Sequence, residues 1–212
     1  PPAAIPREPA MREPVREPEE TPWFLKTDHE GEVFYDTKND SLNLKCGTLA
    51  GLVEQLTRHD KLDASFNNTF LLTYRSFTSA EELFEMVTER FNIQPPPGLN
   101  NDEMQMWIDR KQKPIRFRVV NILKSWFENF WMEPNDEPHM ALLQHVHAFT
   151  KDSIATTKTP GSPQLLAVIE QRLRGQDNTV KRLVPTQATA APTPIIPKNM
   201  KKLKFLDIDA TE

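Results

Sequence analysis

The sequence predicts an all-α protein: an irregular bundle of five to six helices with disordered proline-rich ends. Through the middle of the chain, apolar residues recur three and four positions apart, which is the spacing of one helix face. Residues that favour helix starts and stops flank these stretches. Most of the 19 prolines lie towards the two ends of the chain, where long helices are not expected.

The two ends differ from the middle in composition. Residues 1–22 repeat Arg-Glu-Pro three times, and residues 176–204 mix prolines with Thr and Ala. Such segments bury too little apolar surface to offset the entropy lost on ordering. We therefore expect a disordered arm at 1–22, an extended lead-in at 23–45, a single core at 46–175 and a linker at 176–204.

The first helix of the core is expected to begin at Thr48, because Thr is a favourable N-cap. Its inner face would carry Leu49, Leu52, Val53 and Leu56. A later helix is expected to begin at Ser79, which has the spacing of a capping box with Glu82. The prolines at 95–97 would end that helix in a surface loop.

The segment between these two helices, residues 66–78, has two interpretations. Aromatic residues recur at helical spacing at Phe66, Phe70, Tyr74 and Phe77, whereas Thr69, Thr73 and Tyr74 also favour strands. We interpret it as a largely buried helix because no partner strand is evident nearby. Three consecutive apolar residues at 70–72 span most of a helix circumference, so more than one side must be covered.

Three further helices are expected after a short one at residues 102–110. Pro114 suits the first position of the strongest, which Pro134 would stop. Asp136 is expected to cap the next helix, and Ser162 is expected to start the last one, which would end at Gly175. Short connections between all of these helices favour a bundle.

Composition excludes several classes of function. A net charge of −4 is too small to indicate a polyanionic partner such as nucleic acid. The lone Cys46 excludes an internal disulfide, and without an apolar signal stretch we expect a cytoplasmic protein. The chain starts with Pro and stops just after an apolar cluster, so we expect it to be a piece of a longer protein.

No residue pattern in the chain predicts a catalytic, cofactor or metal site. The six glycines form no phosphate-binding loop, and no nucleophile elbow accompanies the serines. His139, His145 and His147 do not indicate a metal, because residues two apart on a helix face away from each other. The lysines at 198–204 are interpreted as a solvated connector rather than a lipid or nucleic-acid contact.

Three segments, in order, resemble the Ras exchanger N-terminal domain, also called the Ras exchanger motif. They are GTLAGLVEQLT at residues 47–57, FNNTFLLTYRSFT at residues 66–78 and RVVNILKSWFE at residues 118–128. The overall style is similar to fungal members of that family. The resemblance implies an α-helical module that precedes a catalytic exchange domain, and residues 205–212 look like the first residues of that domain.

The resemblance implies a regulatory and structural role, with no exchange activity in this piece alone. The implied partners are the catalytic exchange domain in cis and a Ras-family GTPase through the parent protein. Membrane contact would be only indirect, through recruitment of the parent to the inner membrane surface. The alternative is an independent scaffold or adaptor that recruits partners through the proline-rich arm and the helical surface.

The resemblance also selects residues. The signature residues expected in the core are Leu49, Leu52, Phe70, Tyr74, Phe77 and Trp126. The candidate interface with the catalytic domain is the side of the signature that carries Leu71, Leu72 and Arg75. This division is an expectation about burial: the first group inside, part of the second facing a partner.

Overall fold

The computed structural model describes residues 21–36 and 43–175. Nearly all of the arm expected to be disordered, the linker at 176–204 and the exchange-domain start at 205–212 lie outside these ranges. The described part confirms the predicted all-α class. To the helices it adds one small antiparallel sheet, in which Val33 is paired with Gly47.

The chain order of the described elements is a short lead-in, a β-hairpin and then helices. The strands are β1 (Val33–Asp36) and β2 (Asn43–Gly47). The α-helices are α1 (Leu49–Leu56), α2 (Ala64–Thr73), α3 (Ala80–Phe91), α4 (Asn101–Trp107), α5 (Lys113–Ser125), α6 (Glu137–Phe149) and α7 (Ser162–Leu173). Because α4 and α5 are joined without a break, the described residues form six separate helical bodies, as predicted.

Side-chain caps start several of these helices, as the sequence indicates. The Thr48 hydroxyl accepts a hydrogen bond from the Gly51 N–H at 3.1 Å, and the Asp136 carboxylate accepts one from the His139 N–H at 3.2 Å. Ser79 accepts from the Glu82 N–H, so this cap is confirmed. The capping box expected there is incomplete, because the Glu82 carboxylate accepts instead from the Thr78 hydroxyl.

Pro114 lies in the first turn of α5, as predicted, but no break in the helix precedes it. Residues 101–130 form one continuous rod, in which a π-helical turn (Ile108–Gln112) lies immediately before Lys113. Proline lacks an N–H and its ring displaces the carbonyl four residues earlier. The π-turn shifts the backbone hydrogen bonds by one residue, so that the Lys113 N–H donates to the Ile108 carbonyl. The helix therefore continues past Pro114 without a break.

The core lies between α1, α2, α3, α5, α6 and α7. Among its largest fully buried side chains are Tyr74, Phe84, Phe91, Trp126, Phe127 and Leu143. A second π-turn, Trp126–Phe130, ends the rod, and Arg172 of α7 donates to the carbonyls of Phe127 (2.7 Å) and Glu128 (3.0 Å) there. Within the described ranges, no helix has the length and apolar character needed to cross a bilayer.

The lead-in is more structured than the extended segment expected for residues 23–45. Trp23–Leu25 and Glu30–Glu32 are 3-10 turns, and the hairpin strands are extended. Phe24 and Leu25 pack against Trp107 in a small second apolar cluster. Apolar contacts therefore fix the lead-in to the rod, which the sequence pattern of this short segment does not reveal.

Charged groups fix the lead-in as well, in a largely buried charge cluster where Glu54, Arg90 and Lys111 are buried and Asp28 is partly exposed. The Glu54 carboxylate accepts from the backbone N–H groups of Asp28 (2.9 Å) and His29 (2.7 Å). Arg90 pairs with Glu54 and with Asp28, each at 3.0 Å. Lys111 reaches Asp28 at 2.8 Å, so the lead-in, α1, α3 and the rod meet at this cluster.

Candidate functional site

Helix α2, which contains most of the signature segment, has an uncharged surface. From Ala64 to Thr73 it has no charged side chain, although 26% of the whole chain is charged. The charged residues that bracket the segment are Asp63, which caps the helix through the Phe66 N–H at 2.9 Å, and Arg75. A surface helix without charges is unusual, because solvent-facing positions normally carry them.

The inner side of α2 is built into the core. Phe70, Leu71 and Tyr74 are buried, and the Tyr74 ring meets the Trp126 ring edge-on with centroids 5.3 Å apart. Phe70 contacts the Phe77 ring in the same manner at 5.4 Å. The segment is helical, as interpreted from its aromatic spacing, and it continues as a 3-10 turn, Tyr74–Ser76.

Burial divides the signature residues in a different way from the expected one. Phe70, Tyr74 and Trp126 are buried, and Leu49 and Leu52 are partly buried against the core. Phe77 is 48% exposed, contrary to expectation, because the switch to a 3-10 turn at Tyr74 takes it off the inner face.

The expectation that Leu71 is part of the interface is also wrong, because Leu71 is fully buried within this chain and unavailable to a partner. Residues 70 and 71 both face inward, since α2 is covered by the core over a wide arc. Leu72, by contrast, is 56% exposed. A contact of Leu72 or Arg75 with a catalytic domain stays a prediction.

Arg75 is held by neighbouring groups of its own chain. Its Nε lies 2.7 Å from a Glu133 carboxylate oxygen, and its Nη2 donates to the Phe130 carbonyl at 2.8 Å. Its guanidinium also lies 4.4 Å from the centroid of the Tyr74 ring. These contacts attach α2 to the end of the rod. Glu133, which follows the rod and precedes Pro134, was not predicted from the sequence.

The Tyr74 hydroxyl is the centre of the same network. It donates to Glu133 at 2.6 Å and accepts from the Trp126 indole N–H at 3.2 Å. Burial, together with the hydrogen bond to Glu133, raises the pKa of Tyr74 far above its ordinary value. The hydroxyl is therefore a neutral structural group, and its arrangement serves packing rather than proton transfer.

The outer side of α2 is a strip of small, uncharged residues. Its exposed members are Ala64, Ser65, Asn68, Thr69, Leu72 and Thr73, and Ser76 of the following 3-10 turn extends it. The hydroxyls of Thr69, Thr73 and Ser76 donate to backbone carbonyls of their own helix at 2.9, 2.7 and 2.8 Å. Their hydrogen-bond donors are thus used internally, which leaves an outer surface less polar than its composition suggests.

A groove of about 190 Å³ runs beside this strip, between α2 and α5. Leu62, Asn68, Arg118 and Asn121 are among its lining residues. The Oδ1 atom of Asn67, in the same groove, is buried and accepts no hydrogen bond from the described residues. A buried acceptor without a donor costs free energy, which the packing around the groove must offset.

The three histidines considered as metal ligands each contact a different residue. His139 contacts Asp136, His145 lies edge-on to Phe84, and His147 is 3.6 Å from Glu170. No group of three or more His, Cys, Asp or Glu side chains is placed to hold a metal ion in the part of the chain that the structure describes.

Known proteins resemble this chain in the region of these elements. A family model described as the RasGEF N-terminal motif matches residues 43–149. "Cell division control protein 25" of Saccharomyces cerevisiae is 34% identical over 211 residues, covering 89% of this chain and 13% of that protein.

Two further proteins are similar to this chain. The Candida albicans protein with the same description is 36% identical over 196 residues, covering 91% of this chain and 14% of that protein. "Ras guanine nucleotide exchange factor J" of Dictyostelium discoideum is 29% identical over 178 residues, covering 80% of this chain and 20% of that protein. The chain therefore spans at most about a fifth of the length of these three relatives.

Proposed function

The chain belongs to the RasGEF N-terminal family, and from that premise we propose that it is the regulatory and structural module of a Ras guanine nucleotide exchange factor. The module would bind the catalytic exchange domain of its parent in cis and have no exchange activity alone. The observation that carries this proposal is the uncharged outer strip of α2.

The strip has the chemistry of a surface that another domain covers. Interface centres are depleted in charged residues, whereas solvent-facing helices carry them. Leu72 supplies an exposed apolar side chain at the middle of the strip.

We base the supporting role on the rigid attachment of α2, the helix that carries the strip. The Tyr74, Arg75 and Glu133 contacts hold α2 to the rod, so the strip is a fixed surface. A fixed surface can hold a catalytic element in one pose, which raises the fraction of exchange domain that is competent to act. The Ras-family GTPase would then be engaged by the parent's exchange domain.

We extend the proposal to the setting of the parent. A cytoplasmic protein that meets a membrane-attached GTPase needs only indirect membrane contact, by recruitment to the inner membrane surface. Nucleic acid has no part in this proposal. The name of the Dictyostelium discoideum relative, a Ras guanine nucleotide exchange factor, supports the exchange reaction.

The test uses a parent protein that contains this chain and its exchange domain. Leu72→Glu places a charge at the middle of the strip, where a docked domain would have to bury it. We expect slower nucleotide release from the GTPase and a lower melting temperature of the exchange domain. Phe34→Glu is the matched control, because Phe34 is 59% exposed and Leu72 56%, and it lies on the hairpin.

The two variants separate docking from folding. Leu72→Glu in the isolated chain should leave its own melting temperature unchanged, because the side chain is exposed. Equal nucleotide release by wild type, Leu72→Glu and Phe34→Glu parents would refute the docking role of the strip. Equal release by the exchange domain with and without the whole chain attached would refute the supporting function itself.

A further inference from the structure

A second groove, larger than the first, lies on another side of the fold. It has a volume of about 490 Å³ and runs between the rod near its first π-turn and the loop after α6. Ile108, Lys113 and Phe117 line one wall, and Lys158 and Pro160 line the other. Its volume is typical of sites that bind a ligand or a short peptide.

The charge of this groove is unbalanced. Lys113 is paired with Asp109 at 2.7 Å, the one carboxylate among the residues that line the groove. Arg116 donates from Nε to the Phe91 carbonyl at 3.2 Å and contacts the Phe91 ring. Among the described residues, no carboxylate lies within 4 Å of the Arg116 guanidinium or the Lys158 ammonium group. Three cations therefore face one anion, so the groove favours a negatively charged occupant.

The groove also offers flat apolar surfaces. Phe117 is 40% exposed, and the rings of Pro114 and Pro160 lie in the same lining. Grooves lined by aromatic rings recognise proline-containing peptides in extended conformation. Lys158 has a backbone φ of +53°, which fixes the loop wall in a left-handed turn. An acidic peptide that contains proline fits both the charge and the shape.

We propose that the occupant is the Glu17-Pro18-Glu19-Glu20 segment of this chain's own proline-rich arm. The chain enters the described fold beside the groove, because Phe24 and Leu25 pack against Trp107 and Ile108, and Ile108 also lines the groove. Glu20 is three residues from Trp23, a span of at most about 10 Å. The segment brings three carboxylates to the three cations.

The tether compensates for the weakness of individual surface charge pairs. A short linker gives the arm an effective concentration on the order of millimolar at the groove, so that even a weak site is filled. Pro18 lowers the entropy lost when the segment is held in an extended form. The groove lies on α5 and the loop after α6, so this proposal does not depend on docking at α2.

The test is zero-length carbodiimide cross-linking of the full chain, with the linked peptides identified by mass spectrometry. The reagent joins a carboxylate to an amine only where the two are in contact. We expect Glu17, Glu19 or Glu20 to be linked to Lys113 or Lys158 more often than to Lys26. Lys26 is exposed and only six residues from Glu20, so an undocked arm would link to it first.

Two variants and one mixture complete the design. Phe117→Ser keeps every amine but removes the ring, so it should lower the Lys113 and Lys158 links at least threefold, whereas Phe34→Ser should not. Dominant Lys26 links, or links unaffected by Phe117→Ser, would overturn the proposal. A mixture of isotopically light and heavy chains should give links within one chain only. Mixed light–heavy links would assign the occupant to a second copy and overturn it too.

Discussion

The Tyr74 hydroxyl donates a 2.6 Å hydrogen bond to the Glu133 carboxylate, across 59 positions of sequence. The same hydroxyl accepts from the Trp126 indole, so one oxygen atom connects α2, the rod and the segment after it. Its position explains why the signature segment combines many apolar residues with a tyrosine and an arginine. The apolar side chains bury the helix, and the polar pair fixes its orientation.

Tyr74→Phe should lower the free energy of unfolding by about 1–3 kcal/mol, because it leaves the buried Trp126 N–H without an acceptor. Urea unfolding followed by tryptophan fluorescence measures this loss. Tyr35→Phe is the control, since the Tyr35 hydroxyl only reaches Gln55 at 3.2 Å in a partly exposed setting. Equal losses in both variants would contradict a special role for the Tyr74 hydroxyl.

Glu54→Gln should be more damaging, at about 3 kcal/mol, because it removes the charge that pairs with the buried Arg90. Thermal and urea unfolding at pH 7 measure the effect. Glu128→Gln removes an exposed partner of Lys124 at 3.9 Å and should cost less than about 1 kcal/mol. The prediction fails if the two glutamate variants unfold at the same urea concentration.

Asp28 should make the stability of the domain depend on pH in the acid range. Burial alone would raise the pKa of Asp28, but hydrogen bonds and charges from Lys111 and Arg90 outweigh it and lower the pKa below 3.8. A lowered folded-state pKa means that the contribution is complete above about pH 4 and is lost as pH falls through the folded-state value.

Asp28→Asn should therefore destabilise the chain at pH 7 by about 1 kcal/mol, at the low end for charged groups because the side chain is 45% exposed and screened by water. The difference between wild type and variant should shrink steadily below pH 4. Urea midpoints measured from pH 7 to pH 3 give this comparison. A difference that stays constant with pH would show that the charge of Asp28 does not contribute.

Gly51→Ala should loosen the hairpin from α1. An added Cβ at Gly51 would lie 2.7 Å from the Val33 Cγ2 atom, closer than packed carbon atoms allow. We expect a loss of about 1–3 kcal/mol in unfolding free energy and faster hydrogen exchange of the β1 amides. Gly31→Ala has no atom within 4 Å of its Cβ and serves as the control.

Local signals in the sequence were sufficient for most helices. Thr48, Ser79 and Asp136 cap helices as predicted, because a cap depends on a side chain and the backbone three residues later. The helical interpretation of residues 66–78 was also correct over most of the segment. The switch to a 3-10 turn at Tyr74 was not predictable from aromatic spacing, and it accounts for the exposure of Phe77.

Features that depend on distant partners were not predictable. Pro114 indicates a helix start when only its own neighbours are considered, and the π-turn that accommodates it depends on packing of the whole rod. Glu54 and Arg90 resemble ordinary surface charges in the sequence. They are buried because the lead-in packs over them. The exposure of Leu72 agrees with the expectation from the sequence, in which the absence of charge along α2 is also visible.

The buried charge cluster has a practical consequence for dividing this protein into pieces. The family model begins at residue 43, but Asp28 and the backbone of residues 28 and 29 supply partners to Glu54, Arg90 and Lys111. A piece cut at residue 43 would leave the buried Lys111 without the Asp28 carboxylate and the buried Glu54 without its two backbone donors. Recombinant boundaries drawn upstream of Trp23 should give soluble protein, whereas those drawn from the motif alone should give aggregates.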